Sequence, residues 1–368
     1  MTATANSARI ARDVVAALPH LGGELSRCTV DLSDNTNLWG APPAALRVLQ
    51  AAQSDALSRY PSLYSEPLRS ALLRYVGMQD AAGIAAITGC GSDDVLDSTM
   101  RAFGAAGERI AFSSPTFSMI PLLARLNGLE PVAIPLLPSF DVDVERLVEA
   151  RAKITYLCAP NNPTGTGVSR AAVEFVVEHA EGVVLIDEAY AEFAPEVFVD
   201  LVARHERLVV ARTFSKAFGL AGLRVGYGIA STEIARLIER ARGPYKVGKL
   251  AERVVLAALE PSTDALGWVK THATLAIENR DRVSASLRDL GLTVLPSAAN
   301  FLMVPDARAS ALATEMRHRD VGVRWFGGLP LAIPEFARSQ GNALRIGIGP
   351  WDSMQRLLDV TGEVLQCV

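Results

Sequence analysis

Between residues 84 and about 230 the chain keeps to one grammar. A short apolar run gives way to a stretch with helical spacing, and another apolar run follows. The runs are Ile84–Thr88, Arg109–Phe112, Pro131–Pro135, Ile154–Ala159, Val183–Ile186, Leu208–Ala211 and Gly226–Ile229. The helical stretches are roughly Asp94–Phe103, Phe117–Leu126, Val144–Ala150, Arg170–His179 and Val197–Arg204. Such alternation predicts an α/β fold, a mostly parallel sheet covered by helices on both faces. Cover on both faces explains why the runs are continuously apolar and do not alternate with polar residues. It also says where to look for function, because open α/β sheets bind ligands beyond the carboxyl ends of their strands.

The flanking regions read differently. Before residue 84 come a helix-like stretch from Ile10 to Leu18, a loop at Leu32–Pro43, a helical pattern from Ala44 to about Leu57, a loop at Arg59–Tyr64 and a helix from about Pro67 to Val76. After about Glu233 come helical stretches at Ile234–Arg242, Ala251–Leu259 and Gly267–Leu290. Short strand candidates follow at Leu292–Leu295, Asn300–Val304, Val321–Trp325 and Ala343–Ile348, then a terminal helix over Ser353–Leu365. This predicts a smaller α+β domain. A chain of 368 residues also exceeds the ~250–300 at which single cores stop growing. The expected division is residues 1–43 as an N-terminal arm and part of the small domain, 44–260 as the large domain, and 261–368 as the small domain.

Net charge is −4, which gives no basic surface for nucleic acid and no polybasic patch for a membrane. No apolar run approaches the ~18 residues of a spanning helix. Cys28, Cys90, Cys158 and Cys367 are scattered, without metal-ligand spacing, so no metal is expected and the thiols read as reduced. The first residues carry no apolar export segment. The expected location is the cytoplasm.

Polar sequence stands at the end of several strand candidates. After Leu208–Ala211 comes Arg212-Thr-Phe-Ser-Lys-Ala-Phe-Gly-Leu-Ala-Gly-Leu-Arg224, which gathers hydroxyls, a lysine and an arginine. After Thr88 comes Gly89-Cys-Gly-Ser-Asp-Asp94, which opens a helix whose first amides suit an anion and which also reads as an ordinary helix start. After Phe112 comes Ser113-Ser-Pro-Thr-Phe117, with an aromatic face for a planar ring or for the core. After Ala159 comes Pro160-Asn-Asn-Pro-Thr-Gly165, a turn with an asparagine available to a ligand. After Ile186 comes Asp187-Glu-Ala-Tyr190, and a carboxylate there needs a positive partner.

Together these groups describe a site for a phosphorylated aromatic aldehyde. A lysine forms a Schiff base with an aldehyde. Hydroxyls, helix-end amides and arginine hold a phosphate dianion. An aspartate keeps a pyridine nitrogen protonated, so that the ring draws electrons.

The motifs Asn162-Pro-Thr-Gly165, Asp187-Glu-Ala-Tyr190, Ser215-Lys-Ala-Phe-Gly-Leu-Ala-Gly-Leu-Arg224 and Leu344-Arg-Ile-Gly347 carry a family resemblance. With Leu32–Pro43, Arg59-Tyr-Pro61 and Pro115-Thr-Phe117, it covers nearly the whole chain. The sequence resembles the fold-type I pyridoxal 5′-phosphate aminotransferases, and within them the histidinol-phosphate aminotransferase-like subfamily of class II. The resemblance implies that Lys216 carries the cofactor and shuttles the proton, and that Asp187 pairs with the pyridine nitrogen. Asn162 and Tyr190 then bond the ring oxygen, and Phe117 stacks in place of the subfamily's usual tyrosine. Gly91, Ser92, Asp93, Thr213, Ser215 and Arg224 hold the phosphate, with Tyr60 reaching it from a neighbouring subunit. That last role implies a homodimer with shared sites.

By the same resemblance Arg345 grips the substrate carboxylate and Arg324 a substrate phosphate. The implied reaction is a ping-pong exchange between an amino donor, histidinol phosphate or a similar compound, and a 2-oxo acid such as 2-oxoglutarate. Trp325 and Phe326 follow Arg324, which leaves an aromatic amino-acid aminotransferase as an alternative. A decarboxylase of the threonine-phosphate type, which shares these motifs, is the other.

Overall fold

The structure is a computed structural model that describes residues 10–18 and 28–367. The remaining residues of the 1–43 arm therefore lie outside the described ones. In chain order the strands are β1 (Val30–Asp31), β2 (Ile84–Cys90), β3 (Arg109–Ser114), β4 (Glu130–Pro135), β5 (Ile154–Cys158) and β6 (Val183–Asp187), followed by β7 (Leu208–Thr213), β8 (Val225–Ser231), β9 (Phe301–Pro305), β10 (Val321–Gly322), β11 (Arg324–Phe326) and β12 (Ala343–Gly347). Seven of them form one sheet in the order β2-β8-β7-β6-β5-β3-β4. β8 runs antiparallel to both its neighbours, and the other pairings in this sheet are parallel. The mostly parallel sheet expected from the apolar runs is present.

β6 explains why the runs lack polar residues. Val183 and Leu185 belong to one apolar cluster, with Ile87, Leu96 and Val209. Val184 and Ile186 belong to another, with Leu157, Val210 and Phe214. Side chains alternate between faces along a strand, and both faces are core here. All five residues of β6 are buried.

A second, three-stranded sheet has the order β11-β12-β9 and is antiparallel throughout. Helix Ala265–Asp289 leads toward it from the large sheet's side of the chain. β1 pairs in parallel with β10, which ties residues 30–31 to residues 321–322. Among the described residues no helix is long and apolar enough to cross a membrane.

Four sequence expectations need correction. The helical pattern from Ala44 to about Leu57 is two helices, Pro43–Gln50 and Asp55–Ser58. Leu292–Leu295 is buried in part but forms no strand, and Pro296, which has no amide hydrogen, follows it. Val321–Trp325 divides into β10 and β11, with Val323 between them. Val197–Arg204 is a 3₁₀ segment at Val199–Ala203 and not an α-helix. Helices at Ala309–His318 and Pro334–Arg338 were not expected.

Candidate active site

The carboxyl ends of the central strands open into a cavity of about 370 Å³. Lys216, Asp187, Asn162, Tyr190, Phe117, Thr213, Ser215, Arg224, Ser92, Asp93, Arg324 and Arg345 all line it, although they come from segments far apart in sequence.

Asp187 is the last residue of β6 and is 3% exposed. Its Oδ1 accepts from the Ala189 amide over 3.1 Å, and its Oδ2 from the Tyr156 hydroxyl over 3.0 Å. Burial pushes its carboxyl up to about 6, against the pull of these hydrogen bonds. Cys158, which lies opposite Asp187 in the β5–β6 register, also lines the cavity, and burial pushes its thiol far up.

Lys216 lies three residues beyond β7. Its Nζ donates to the Asp34 carbonyl over 3.0 Å and sits 6.0 Å from the centre of the Tyr190 ring. Burial pushes the amine down to about 8, and Arg345 adds to the effect. The buried Tyr190 hydroxyl accepts from Asn35 Nδ2 over 3.2 Å.

An anion cradle lies beside the lysine. Helix Ser92–Phe103 begins at Gly91 without a side-chain cap, so its first amides are free to meet an anion. Gly91 has φ 79°, and a Cβ there would come within 2.7 Å of Arg224 Nη2. Arg224 itself has φ 51°, and its backbone carbonyl accepts from the Gly91 amide over 3.1 Å. This left-handed backbone places a guanidinium across the helix start. Arg224 Nη1 lies 3.5 Å from Ser215 Oγ, and Thr213 Oγ1 donates to that oxygen over 3.0 Å. Arg224 also pairs with the half-exposed Asp93 carboxylate at 3.4 Å. Uncapped amides, two hydroxyls and a guanidinium fit a phosphate dianion. With a lysine of lowered pKa and a buried carboxylate beyond them, these residues fit pyridoxal phosphate as a whole.

On the opposite side Arg345, buried in β12, donates from Nη1 to Asn162 Oδ1 over 2.8 Å and from Nη2 to the Ser33 carbonyl over 2.6 Å. Its Nε is buried without a partner. Arg324 is exposed and is the direct cross-strand partner of Arg345. Phe326, two residues on, lines the cavity with its ring 5.4 Å from the Arg345 guanidinium. Trp325 points the other way: it is 46% exposed, and its Nε1 donates to Asn342 Oδ1. Strand alternation separates the two aromatics, and only Phe326 reaches the cavity.

Tyr60 is outside this cavity, 83% exposed and stacked on Tyr245 with ring centres 5.0 Å apart. Asn35, Thr116 and Cys158 line the cavity with no role foreseen for them. Their only sequence signal was position, in a polar loop or at a strand end.

The family model for aminotransferase class I and II matches residues 28–360. Histidinol-phosphate aminotransferase of Roseiflexus castenholzii is 38% identical over 349 residues, 91% of this chain and 89% of that protein. The Microcystis aeruginosa protein of the same name is 32% identical, with 91% of each chain covered. Among solved structures, histidinol-phosphate aminotransferase from Sinorhizobium meliloti, in complex with pyridoxal-5′-phosphate, is similar with a TM-score of 0.85 at 24% identity, covering 96% of this chain and 97% of that one. A tetra mutant of Thermus thermophilus aspartate aminotransferase gives 0.80 at 20% identity, covering 97% and 99%. These two structural likenesses bear on the fold. With the cradle, the lysine and the family match in place, the chain belongs to the class I and II aminotransferases and is a pyridoxal 5′-phosphate-dependent aminotransferase.

Proposed function

We propose that this enzyme moves an amino group from histidinol phosphate, or a closely similar phosphorylated amine, to a 2-oxo acid such as 2-oxoglutarate. The observation that carries the reading is the pairing of Arg324 with Arg345 across β11 and β12. Like charges directly opposite each other on one sheet face repel. Two guanidiniums kept there, both lining the cavity, suit a substrate with a dianion or with two carboxylates. Histidinol phosphate offers the first and 2-oxoglutarate the second. The names of the similar relatives support the same donor.

Pyridoxal phosphate, when bound, supplies an aldehyde for imine formation and a ring that withdraws electrons once its nitrogen is protonated. The chain's residues do the rest. Ser92 and Asp93, by backbone amides, hold the phosphate with Thr213, Ser215 and Arg224, while Gly91, whose own amide is bonded to the Arg224 carbonyl, leaves room for that guanidinium. Asp187 stabilises the proton on the ring nitrogen. Phe117 packs on the ring, and Asn162 and Tyr190 bond its oxygen. Lys216, lowered to about 8, is neutral in roughly a fifth of molecules at physiological pH, far more than an ordinary lysine, and that form can take the proton from the substrate Cα and return it. Arg345 turns the substrate so that this bond faces Lys216 Nζ.

The proposal includes a homodimer in which Tyr60 reaches the phosphate of the neighbouring subunit. Its exposed ring lines one surface pocket with the exposed Leu57, and a second copy would cover both. It also includes the division into an arm, a large domain and a small domain at 1–43, 44–260 and 261–368.

One observation favours a second donor class. Phe326 places an aromatic ring in the substrate half of the cavity, which suits phenylalanine or tyrosine. A half-reaction screen decides between them, following loss of the visible cofactor band with histidinol phosphate, phenylalanine, tyrosine, leucine and glutamate. The expected result is fastest bleaching by histidinol phosphate. Bleaching by phenylalanine, with none by histidinol phosphate, would replace the first reading by the second.

A further inference from the structure

Tyr156 has no part in the reading so far. It sits in the middle of β5 and is wholly buried. A phenol is costly there unless its hydroxyl is paired, and phenylalanine would fill the same space without that cost. The hydroxyl donates to Asp187 Oδ2 over 3.0 Å.

The strand register accounts for the contact. β5 and β6 are parallel, with Cys158 opposite Asp187. Tyr156 is two residues before Cys158 and so on the same face. Its ring rises beneath the carboxylate from the apolar cluster that holds Leu185 and Val209. The other carboxylate oxygen is fixed by the Ala189 amide. Both oxygens are thus held from the protein's side, while Asp187 still lines the cavity.

We propose that Tyr156 is a positioning residue for the transamination, whose hydroxyl keeps Asp187 charged and aimed at the ring nitrogen of the cofactor. This rests on the assignment of Asp187 to that nitrogen. The other titratable groups around Asp187 are Cys158 on β5, Tyr190 after β6, Asp93 at the start of helix Ser92–Phe103 and Lys216 after β7. Asp93 disfavours the charge on Asp187 and Lys216 favours it. Burial is the strongest influence against that charge, and the Tyr156 hydrogen bond is the strongest in its favour. Removing the hydroxyl therefore tips the carboxylate toward its neutral form, which stabilises a ring-nitrogen proton less well.

The test is ¹⁵N NMR on holoenzyme loaded with cofactor labelled at the ring nitrogen, for wild type and Tyr156→Phe, from about pH 6 to about pH 9. The wild-type nitrogen is expected to stay protonated throughout. The variant's signal is expected to move toward the unprotonated value as pH rises, and its donor half-reaction to slow about tenfold. A variant nitrogen protonated as in wild type at every pH overturns the proposal. A wild-type nitrogen that is already unprotonated overturns the Asp187 assignment, and the proposal with it. A second measurement holds even if Tyr156→Phe does not fold. With 3-fluorotyrosine placed at position 156, the fluorine signal should titrate in the apoprotein and stop doing so in an Asp187→Asn background. A fluorine signal indifferent to that change also overturns the proposal.

Discussion

The cavity has two walls of different construction. On the large-sheet wall the polar groups stand at strand ends, and each has a partner inside the protein. Asp187 is held by Tyr156 and Ala189, and Thr213 by Ser215. On the small-sheet wall Arg345 is likewise held, but Arg324 projects from a three-residue strand and is exposed, and Phe326 beside it is half-buried. Groups fixed before a ligand arrives cost no reorganisation during the reaction. That suits a wall serving one cofactor. A wall that must accept a donor and then a different acceptor needs charges that tolerate both shapes. On the proposed assignments, chemistry and substrate choice are carried by separate surfaces, and each can be broken alone.

The largest effect is expected at Lys216. On the proposed assignment Lys216→Ala removes both the covalent anchor and the proton carrier, so turnover should fall by at least about 10³-fold. The lysine's lowered pKa gives a second readout on the same wall. Only the neutral amine attacks an aldehyde, so capture of pyridoxal phosphate by the apoprotein should quicken as pH rises through about 8, then level off. Stopped-flow absorbance follows the capture. A rate still climbing steeply toward pH ~10.4, as for an ordinary lysine, would remove the case for an amine preset by burial.

Asp187 should show what that wall costs the fold. Its pKa is raised by burial to about 6, above the ordinary carboxylate value. A raised carboxyl contributes stability that is complete below its unfolded-state pKa and is lost as pH rises through the folded value. The charged, buried form is therefore a burden on the apoprotein at neutral pH. Asp187→Asn keeps the shape, and its amide can still meet Tyr156 and Ala189. The apoprotein variant should be more stable than wild type at pH ~8, by on the order of 2–3 kcal/mol, with about half of the gain left at pH ~5 and almost none below pH ~3.5. Urea titrations at pH ~8 and pH ~3.5 measure this. The same variant should bind cofactor poorly, so stability and function part at one residue. No difference between the two pH values would mean that Asp187 is solvated in the apoprotein.

The two walls were not equally legible in the sequence. The large sheet announced itself because every strand from β5 to β7 is buried on both faces, and so is built mainly of apolar residues, without exception in β6 up to Asp187. Lys216, Asp187 and Arg224 stood out as charges at the ends of such runs. Tyr156 did not, because a tyrosine inside an apolar run looks like core until its hydroxyl is placed. Asn35 met Tyr190 only through folding, 155 positions away. The small sheet was harder. Its strands are short, one candidate proved to be two, and another formed no strand and ended at a proline. Pairing of Arg324 with Arg345 depends on strand register, which spacing alone does not set.

The smallest effect, and the sharpest test of the contrast, lies at Arg324. Its side chain carries no packing that the large sheet needs, so Arg324→Ala should leave the fold and cofactor affinity as they are. A guanidinium at an exposed edge still contributes to holding a dianion, and its loss should raise KM for a phosphorylated donor roughly tenfold with little change in kcat. Trp325→Ala is the matched control. Trp325 is the next residue on the same strand, but it faces away from the cavity and bonds Asn342, so donor kinetics should not change. Steady-state kinetics with histidinol phosphate and with phenylalanine would separate the cases. Phenylalanine carries no phosphate, and its KM should move less than that of histidinol phosphate in Arg324→Ala. Equal losses for both donors, or a loss of cofactor affinity, would mean that the small-sheet wall also supports the cofactor and that the two surfaces are not separable.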